Sequence, residues 1–345
     1  MSRLHPLRSI VLRIPKPFGG KWGRVLPTAL FLAPLVLTGS ACAGNNQEGS
    51  HAPVISSRLH APERTNTSNA LGHWGGTSTS QRRDVWGGLN RKALQVHVTS
   101  AIVVDENGRQ LYAKNANMVT PIASVTKLMT AMIVLDSGVS LDRTITIIDQ
   151  DRDRLRNSRS RLRIGEARLT RADMIRAALV SSDNRAAHAL GRTTFRGGMP
   201  EFIKAMNRKA RALGMRNTYF ADCSGLDARN RSTAEDLVKM VRASTRYSSI
   251  RQAAATGEMQ LYPFSGKPPL RYRNTNPLVR NPEWQIEVSK TGFINEAGRC
   301  LVMSTVINNR RIYIVLLHGS GKLTPVGDSN RIRNWLLTST QTVSR

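Results

Sequence analysis

A chain of 345 residues is long enough to bury a sizeable core, as one large domain or two modest ones. Its 51 Lys and Arg outnumber 23 Asp and Glu, and the net charge of +28 would suit a nucleic-acid binder; aromatic residues are only 5%, however, and no nucleic-acid motif occurs. No C-x-x-C or H-E-x-x-H spacing is present and the seven histidines are scattered, so neither a metal nor another cofactor is implied.

The first 24 residues carry Arg3, Arg8, Arg13, Lys16, Lys21 and Arg24 without an acid, and residues 25–38 are apolar but too short to span a bilayer. Ala41-Cys42-Ala43 then places small residues where a signal peptidase reads. Residues 1–43 are therefore expected to be a secretion signal that sends the chain to the periplasm. An uncleaved membrane anchor and a lipid on Cys42 stay open beside that reading. An exported chain meets little nucleic acid, a second reason to exclude that partner. Residues 44–92, rich in Gly, Ser, Thr and Asn, are expected to form a flexible linker ahead of a folded domain over 93–340. Cys223 and Cys300 remain after cleavage, either as a disulfide or as two separate buried thiols.

Ala101–Asp105 and Gln110–Lys114 flank Glu106-Asn107-Gly108, which predicts a β-hairpin. Ser124–Leu135 has apolar residues at helical spacing, with Ser124 near its N-terminus. Thr170 and Asp173 predict a capped helix over Arg171–Val180, and a second helix covers Asn184–Thr194 after the polar break Ser181-Ser182-Asp183. Helices are also expected over Pro200–Leu213 and, capped by Ser232 and Glu235, over Ala234–Thr245. Beyond Pro282 come three strands, Gln285–Phe293, Cys300–Asn308 and Arg311–His318, the last two joined by a turn at Asn308-Asn309. A helix over Gly327–Leu337 follows. Strands at both ends with helices between them predict an α+β domain with an all-helical lobe and a cleft between the two.

Three short motifs fall on this frame in order: Ser124-Val125-Thr126-Lys127, Ser182-Asp183-Asn184 and Lys290-Thr291-Gly292. Each is weak alone. Together they describe a serine acyl-transfer site with a lysine base. Residues i and i+3 share a helix face, which brings Lys127 within reach of the Ser124 hydroxyl. An ordinary lysine is protonated at neutral pH, so Lys127 must be desolvated or stand near a second cation, for which Lys290 is the candidate. Ser182 suits proton relay to a leaving amine, and Asn184 suits orientation of Lys127 and of the substrate amide. Lys290 and Thr291 suit a carboxylate, Gly292 leaves room for substrate along a strand edge, and the backbone N–H groups of Ser124 and Phe293 would form an oxyanion hole. The arginine-rich run 151–163 reads as a solvated face or as a surface for anionic envelope polymers.

These residues resemble the penicillin-binding serine DD-peptidases. The resemblance rests on Pro121–Thr130, Ser160–Ala187, Ser232–Leu237 and Lys290–Met303, and covers roughly residues 95–337. Arg271–Arg280 and the run Asp151–Arg163 look most like the type-7 D-alanyl-D-alanine endopeptidases. Only 55 residues follow Lys290, too few for the C-terminal β-domain and amphipathic anchor of the type-5 carboxypeptidases. One departure is Asp222-Cys223-Ser224-Gly225-Leu226, where Pro-Thr is usual before Gly-Leu. The resemblance implies an antiparallel five-stranded sheet flanked by helices. It implies Ser124 as acyl-enzyme nucleophile, Lys127 as proton acceptor, Ser182 and Asn184 as the second motif, and Lys290 as a substrate-binding residue. The implied partners are peptidoglycan stem peptides, cut at D-alanyl bonds in cross-links, and β-lactams as covalent inhibitors. D-alanyl-D-alanine carboxypeptidase activity, a class A β-lactamase and a catalytically idle penicillin-binding sensor are the alternatives. Against the β-lactamase, Glu166 precedes Ser182, whereas that enzyme's deacylating glutamate follows its second motif.

Overall fold

The computed structural model describes residues 86–341; the expected signal over 1–43 and most of the expected linker lie outside the described residues. Of that linker, residues 86–92 are described, and within them Trp86 is buried against the core.

The chain enters on strands β1 (Ser100–Asp105) and β2 (Gln110–Lys114), the expected hairpin, with Gly108 at φ +89 in its turn. A two-residue strand β3 (Thr120–Pro121) leads into α1 (Lys127–Asp136). The helical lobe then alternates short strands with helices: β4 (Thr144–Thr146), β5 (Arg168–Thr170), α2 (Arg171–Val180), α3 (Asn184–Thr194) and α4 (Gly198–Ala212). After β6 (Arg231–Ser232) come α5 (Ala234–Ser244), α6 (Ser248–Ala254), β7 (Glu258–Leu261) and β8 (Leu270–Arg273). The chain returns on β9 (Gln285–Ile294), β10 (Gly298–Ile307) and β11 (Arg310–Gly319), and α7 (Thr324–Gln341) closes the described part.

The main sheet is antiparallel with order β2-β1-β11-β10-β9, so the two ends of the domain meet where β1 pairs with β11. Side chains alternate across it. Ile102, Val104, Val302, Val315 and Leu317 face one core with α1 to α5, while Ala101, Val103, Leu301, Ile314 and Leu316 face a second core under Ile332, Trp335 and Leu336 of α7. Burial on both faces explains why β1 reads as a continuous apolar run. Strand β9 is left at the sheet edge beside the helical lobe.

Local signals account for most boundaries. Thr170 Oγ1 accepts from Asp173 N at 3.1 Å and starts α2 as expected. At α5 the cap is Thr233, accepting from Asp236 N, one residue beyond the expected Ser232. Asn308 and Asn309 both take positive φ, the pair of left-handed residues that a two-residue hairpin turn needs. Helix α7 begins three residues early because Pro325, with no N–H to lose, suits a first turn. The lobe also carries antiparallel ribbons, β4 with β5 and β7 with β8, that the sequence reading left out. Cys223 and Cys300 are separate buried thiols bonded to the carbonyls of Ala187 and Ala297.

Candidate active site

Ser124 lies on a 3-10 turn, Ala123–Thr126, that runs directly into α1 at Lys127. Residues three apart eclipse in such a turn, so the lysine side chain comes alongside the serine. Lys127 Nζ stands 2.8 Å from Ser124 Oγ, 2.7 Å from Asn184 Oδ1 and 2.6 Å from the Ser224 carbonyl oxygen. The amine is fully buried, and burial brings its pKa down to about 8 while Asp222, Cys223, Asp183 and Asp153 limit the fall. Burial thus leads, the first of the two routes that the sequence left open.

The turn itself is held under constraint. Ala123 has φ +47, a conformation few non-glycine residues adopt. Ile122 N donates to Asn230 O at 3.0 Å, and Thr126 Oγ1 donates to Ala123 O at 2.8 Å while accepting from Asn230 Nδ2. Two glycines permit close approach: a Cβ on Gly225 would overlap the Ala123 carbonyl, and one on Gly292 would lie 3.0 Å from Ser124 N. Gly292 is therefore required to seat β9 against the nucleophile's backbone, a reason independent of substrate.

The second motif occupies the break between α2 and α3. Ser182 has φ +62, and Asp183 caps α3 by accepting from Ala186 N at 3.0 Å and from Ser160 Oγ at 2.7 Å. Burial raises the Asp183 pKa against those bonds. Asn184 accepts from Lys127 and donates through Nδ2 to Ser158 Oγ at 2.7 Å, so its amide orientation is set from both sides. In the third motif Lys290, 1% exposed, reaches Ser182 Oγ at 2.9 Å and its neighbour's Thr291 O at 2.8 Å. Burial, then the charge of Lys127, pushes its pKa well below the usual lysine value. Thr291 Oγ1 donates to Thr275 Oγ1 at 2.7 Å, and Phe293, half-exposed, carries the Arg299 guanidinium 3.7 Å above its ring.

Ser124, Ser182, Asn184, Thr291, Gly292 and Phe293 all line one cleft of about 970 Å³, with Lys127 and Lys290 buried behind its wall. The arrangement couples two Ser–Lys pairs, one able to attack a carbonyl and one able to pass a proton. All eight residues picked out by sequence are brought to this place.

Ser158, Ser224 and Thr275 were not anticipated. Ser224 acts through its carbonyl oxygen, which no side-chain pattern can announce. Ser158 arrives on a turn organised by Asp153, whose carboxylate accepts from Leu155 N, Arg156 N and Ser158 N. That turn also resolves much of the basic run: Arg152 and Arg154 pair with Asp149, Arg163 with Glu166, and Arg156 with Glu296. The pair with Glu296 links Arg156 to the β9–β10 turn, and Arg156 further donates to Leu226 O at 2.6 Å along the cleft wall.

The geometry has relatives. Residues 88–321 match the family model described as D-alanyl-D-alanine carboxypeptidase. The D-alanyl-D-alanine endopeptidase of Pseudomonas aeruginosa is 45% identical over 240 residues, 69% of this chain and 77% of that one. The protein of the same name from Escherichia coli is 44% identical over 241 residues, again 69% and 77%. Penicillin-binding protein D2 of Listeria monocytogenes, solved in an ampicillin-bound form, superposes with a TM-score of 0.60 at 26% identity, covering 71% of this chain and 98% of that one. A serine and a lysine 2.8 Å apart at the head of α1, in a fold shared with an ampicillin-binding protein, carry the family's signature chemistry, and the chain belongs to the D-alanyl-D-alanine carboxypeptidase family of serine DD-peptidases.

Proposed function

We propose that this chain is a D-alanyl-D-alanine endopeptidase of the periplasm, cutting cross-links between peptidoglycan stem peptides through an acyl-enzyme on Ser124. The observation that carries the reading is the bonding of Lys127. When its amine is neutral, two hydrogens are engaged by Asn184 Oδ1 and Ser224 O, and the lone pair is left facing the Ser124 hydroxyl.

Ser124 Oγ adds to the D-alanyl carbonyl carbon as its proton passes to Lys127, and the backbone N–H groups of Ser124 and Phe293 take the developing oxyanion. The C–N bond then breaks, the departing amine takes the Ser182 proton, and the proton that Lys127 took from Ser124 passes to Ser182, which Lys290 holds on its other side, so that Lys127 is neutral again. Water attacks the ester and gives a proton to the neutral Lys127, which passes it to the Ser124 oxygen as the ester C–O bond breaks, restoring the hydroxyl and the free amine. A substrate carboxylate held by Thr291 raises the proton affinity of Lys290, supplying the cation that burial and Lys127 disfavour. Gly292 and Phe293 offer the edge of β9 to an extended peptide. β-Lactams would acylate the same serine. Among the described residues no Asp or Glu lines the cleft, and Glu166 is engaged by Arg163 and Lys267, so the base a class A β-lactamase needs for deacylation has no counterpart.

The names carried by the Pseudomonas aeruginosa and Escherichia coli relatives favour cross-link cleavage over release of terminal D-alanine. Wild type and Ser124→Ala are incubated with purified cross-linked and monomeric muropeptides and the products weighed by mass spectrometry. Wild type should convert dimers to monomers, and Ser124→Ala should convert none and form no adduct with fluorescent penicillin. Release of D-alanine from pentapeptide monomers without dimer cleavage selects the carboxypeptidase reading, and cleavage of neither selects the sensor.

A further inference from the structure

A second concavity, of about 350 Å³, lies between the end of β5, the first turns of α2 and the end of β7, with Thr144, Arg168, Thr170, Arg176, Gln260 and Tyr262 on its walls. Tyr262 is 67% exposed, one of six large apolar or aromatic side chains so displayed among the described residues. Its neighbours follow from strand alternation. Met259 and Leu261 of β7 point into the core, which turns Gln260 and Tyr262 outward; on β8, Tyr272 points inward and Arg271 and Arg273 outward. The alternation continues to Thr275, exposed, which bonds Thr291 inside the catalytic cleft.

One exposed ribbon face therefore runs from an aromatic and an amide at one end, past two arginines, to the catalytic motif at the other. From Arg271, which faces Gln260, to Thr275 is four residues, about 13 Å at strand rise. The face is cationic: Arg271 and Arg273 share the single carboxylate of Glu258, and Arg161 donates to Arg271 O.

We infer that this face is an accessory subsite for the glycan end of the substrate, resting on the peptidoglycan reading above. An N-acetylated sugar ring stacks on Tyr262, its acetamido group bonds the Gln260 amide, and the acidic groups of the attached peptide lie over Arg271 and Arg273. An extended peptide of four residues reaches about 14 Å, which matches the ribbon's span from the Gln260 amide to the cleft. A tyrosine gives such a platform at small entropic cost because it has only two side-chain torsions.

The test compares one cross-linked peptide with and without its N-acetylhexosamine disaccharides, cleaved by wild type, Tyr262→Ala and Tyr262→Phe. Tyr262→Ala should raise KM about 10-fold for the sugar-bearing substrate, the loss of one stacking contact, with kcat unchanged. For the sugar-free peptide it should differ from wild type by less than about 2-fold, and Tyr262→Phe should behave as wild type on both. Equal effects on both substrates, or none on either, overturn the inference. If no cross-linked peptide is cleaved, the endopeptidase reading fails and the subsite is judged by binding alone. Ser124→Ala and Ser124→Ala/Tyr262→Ala are then titrated with the disaccharide-tetrapeptide: weaker binding by the double variant supports the subsite, and equal binding overturns it.

Discussion

At the scale of single residues, the chemistry turns on how completely Lys127 is withdrawn from water. A pKa of about 8 leaves roughly a tenth of the amine neutral at pH 7, so acylation should climb about tenfold per pH unit below 8 and level off above 9. The sign follows from the role: the neutral amine is the base, and raising the pH produces it. The rate of acylation by fluorescent penicillin, followed from pH 6 to 10, measures this; a flat profile would remove Lys127 as the base. Lys127→Arg should lose about 10³-fold or more, because a guanidinium stays protonated across the whole range. Ser124, Lys127, Ser182, Asn184 and Lys290 were legible in sequence because their spacing is itself the chemistry. Ser224 and Ala123 were not, since one contributes a carbonyl and the other a left-handed backbone.

At the scale of elements, the site is as firm as the turn that backs it. Asp153 gathers three backbone N–H groups and so places Ser158 under Asn184, which in turn orients Lys127. Burial works against the ionised carboxyl, yet bonds from Ser158, Arg156 and Leu155 outweigh it and hold its pKa below the usual value. Asp153→Ala should slow acylation about 10-fold by freeing Asn184, with Asp153→Asn recovering most of it through the remaining amide oxygen. Stopped-flow acylation rates decide the matter, and an Asp153→Ala enzyme as fast as wild type would show that the turn does not position the site. Helices α2 and α3 and the β1–β2 hairpin were legible because caps and turns are local. The 153–158 turn and the β7–β8 ribbon were not. In the turn, Arg alternating with Asp has no apolar period, and its bonds to Asn184 and Leu226 span 26 and 70 residues; in the ribbon, strands of four residues each are too short to establish an alternation.

At the scale of the whole domain, the chain leaves the sheet after β2, builds the helical lobe, and returns for β9 to β11, so the sheet cannot form without both ends. The two cores confirm the dependence: strands β1, β10 and β11 contribute to each, and loss of the sheet exposes both. One clasp joins the ends directly. Asp328 of α7, fully buried, accepts from His97 N at 2.9 Å and Val98 N at 2.8 Å and pairs with Arg331, while Trp335 Nε1 donates to Asn90 O. Replacing that carboxylate strands the buried N–H of Val98 and the half-buried N–H of His97 and breaks the Arg331 pair, a loss of roughly 3 kcal/mol. For a domain of this size the midpoint should fall by roughly 6–12 °C. Because the lobe is an insertion between halves of one sheet, Asp328→Ala should lower the thermal midpoint read by near-ultraviolet circular dichroism and the midpoint read by loss of penicillin acylation together, although Asp328 belongs to the helix on the far side of the sheet from the lobe. Two separated transitions, with acylation surviving the first, would show that the lobe and its serine stand without the clasp.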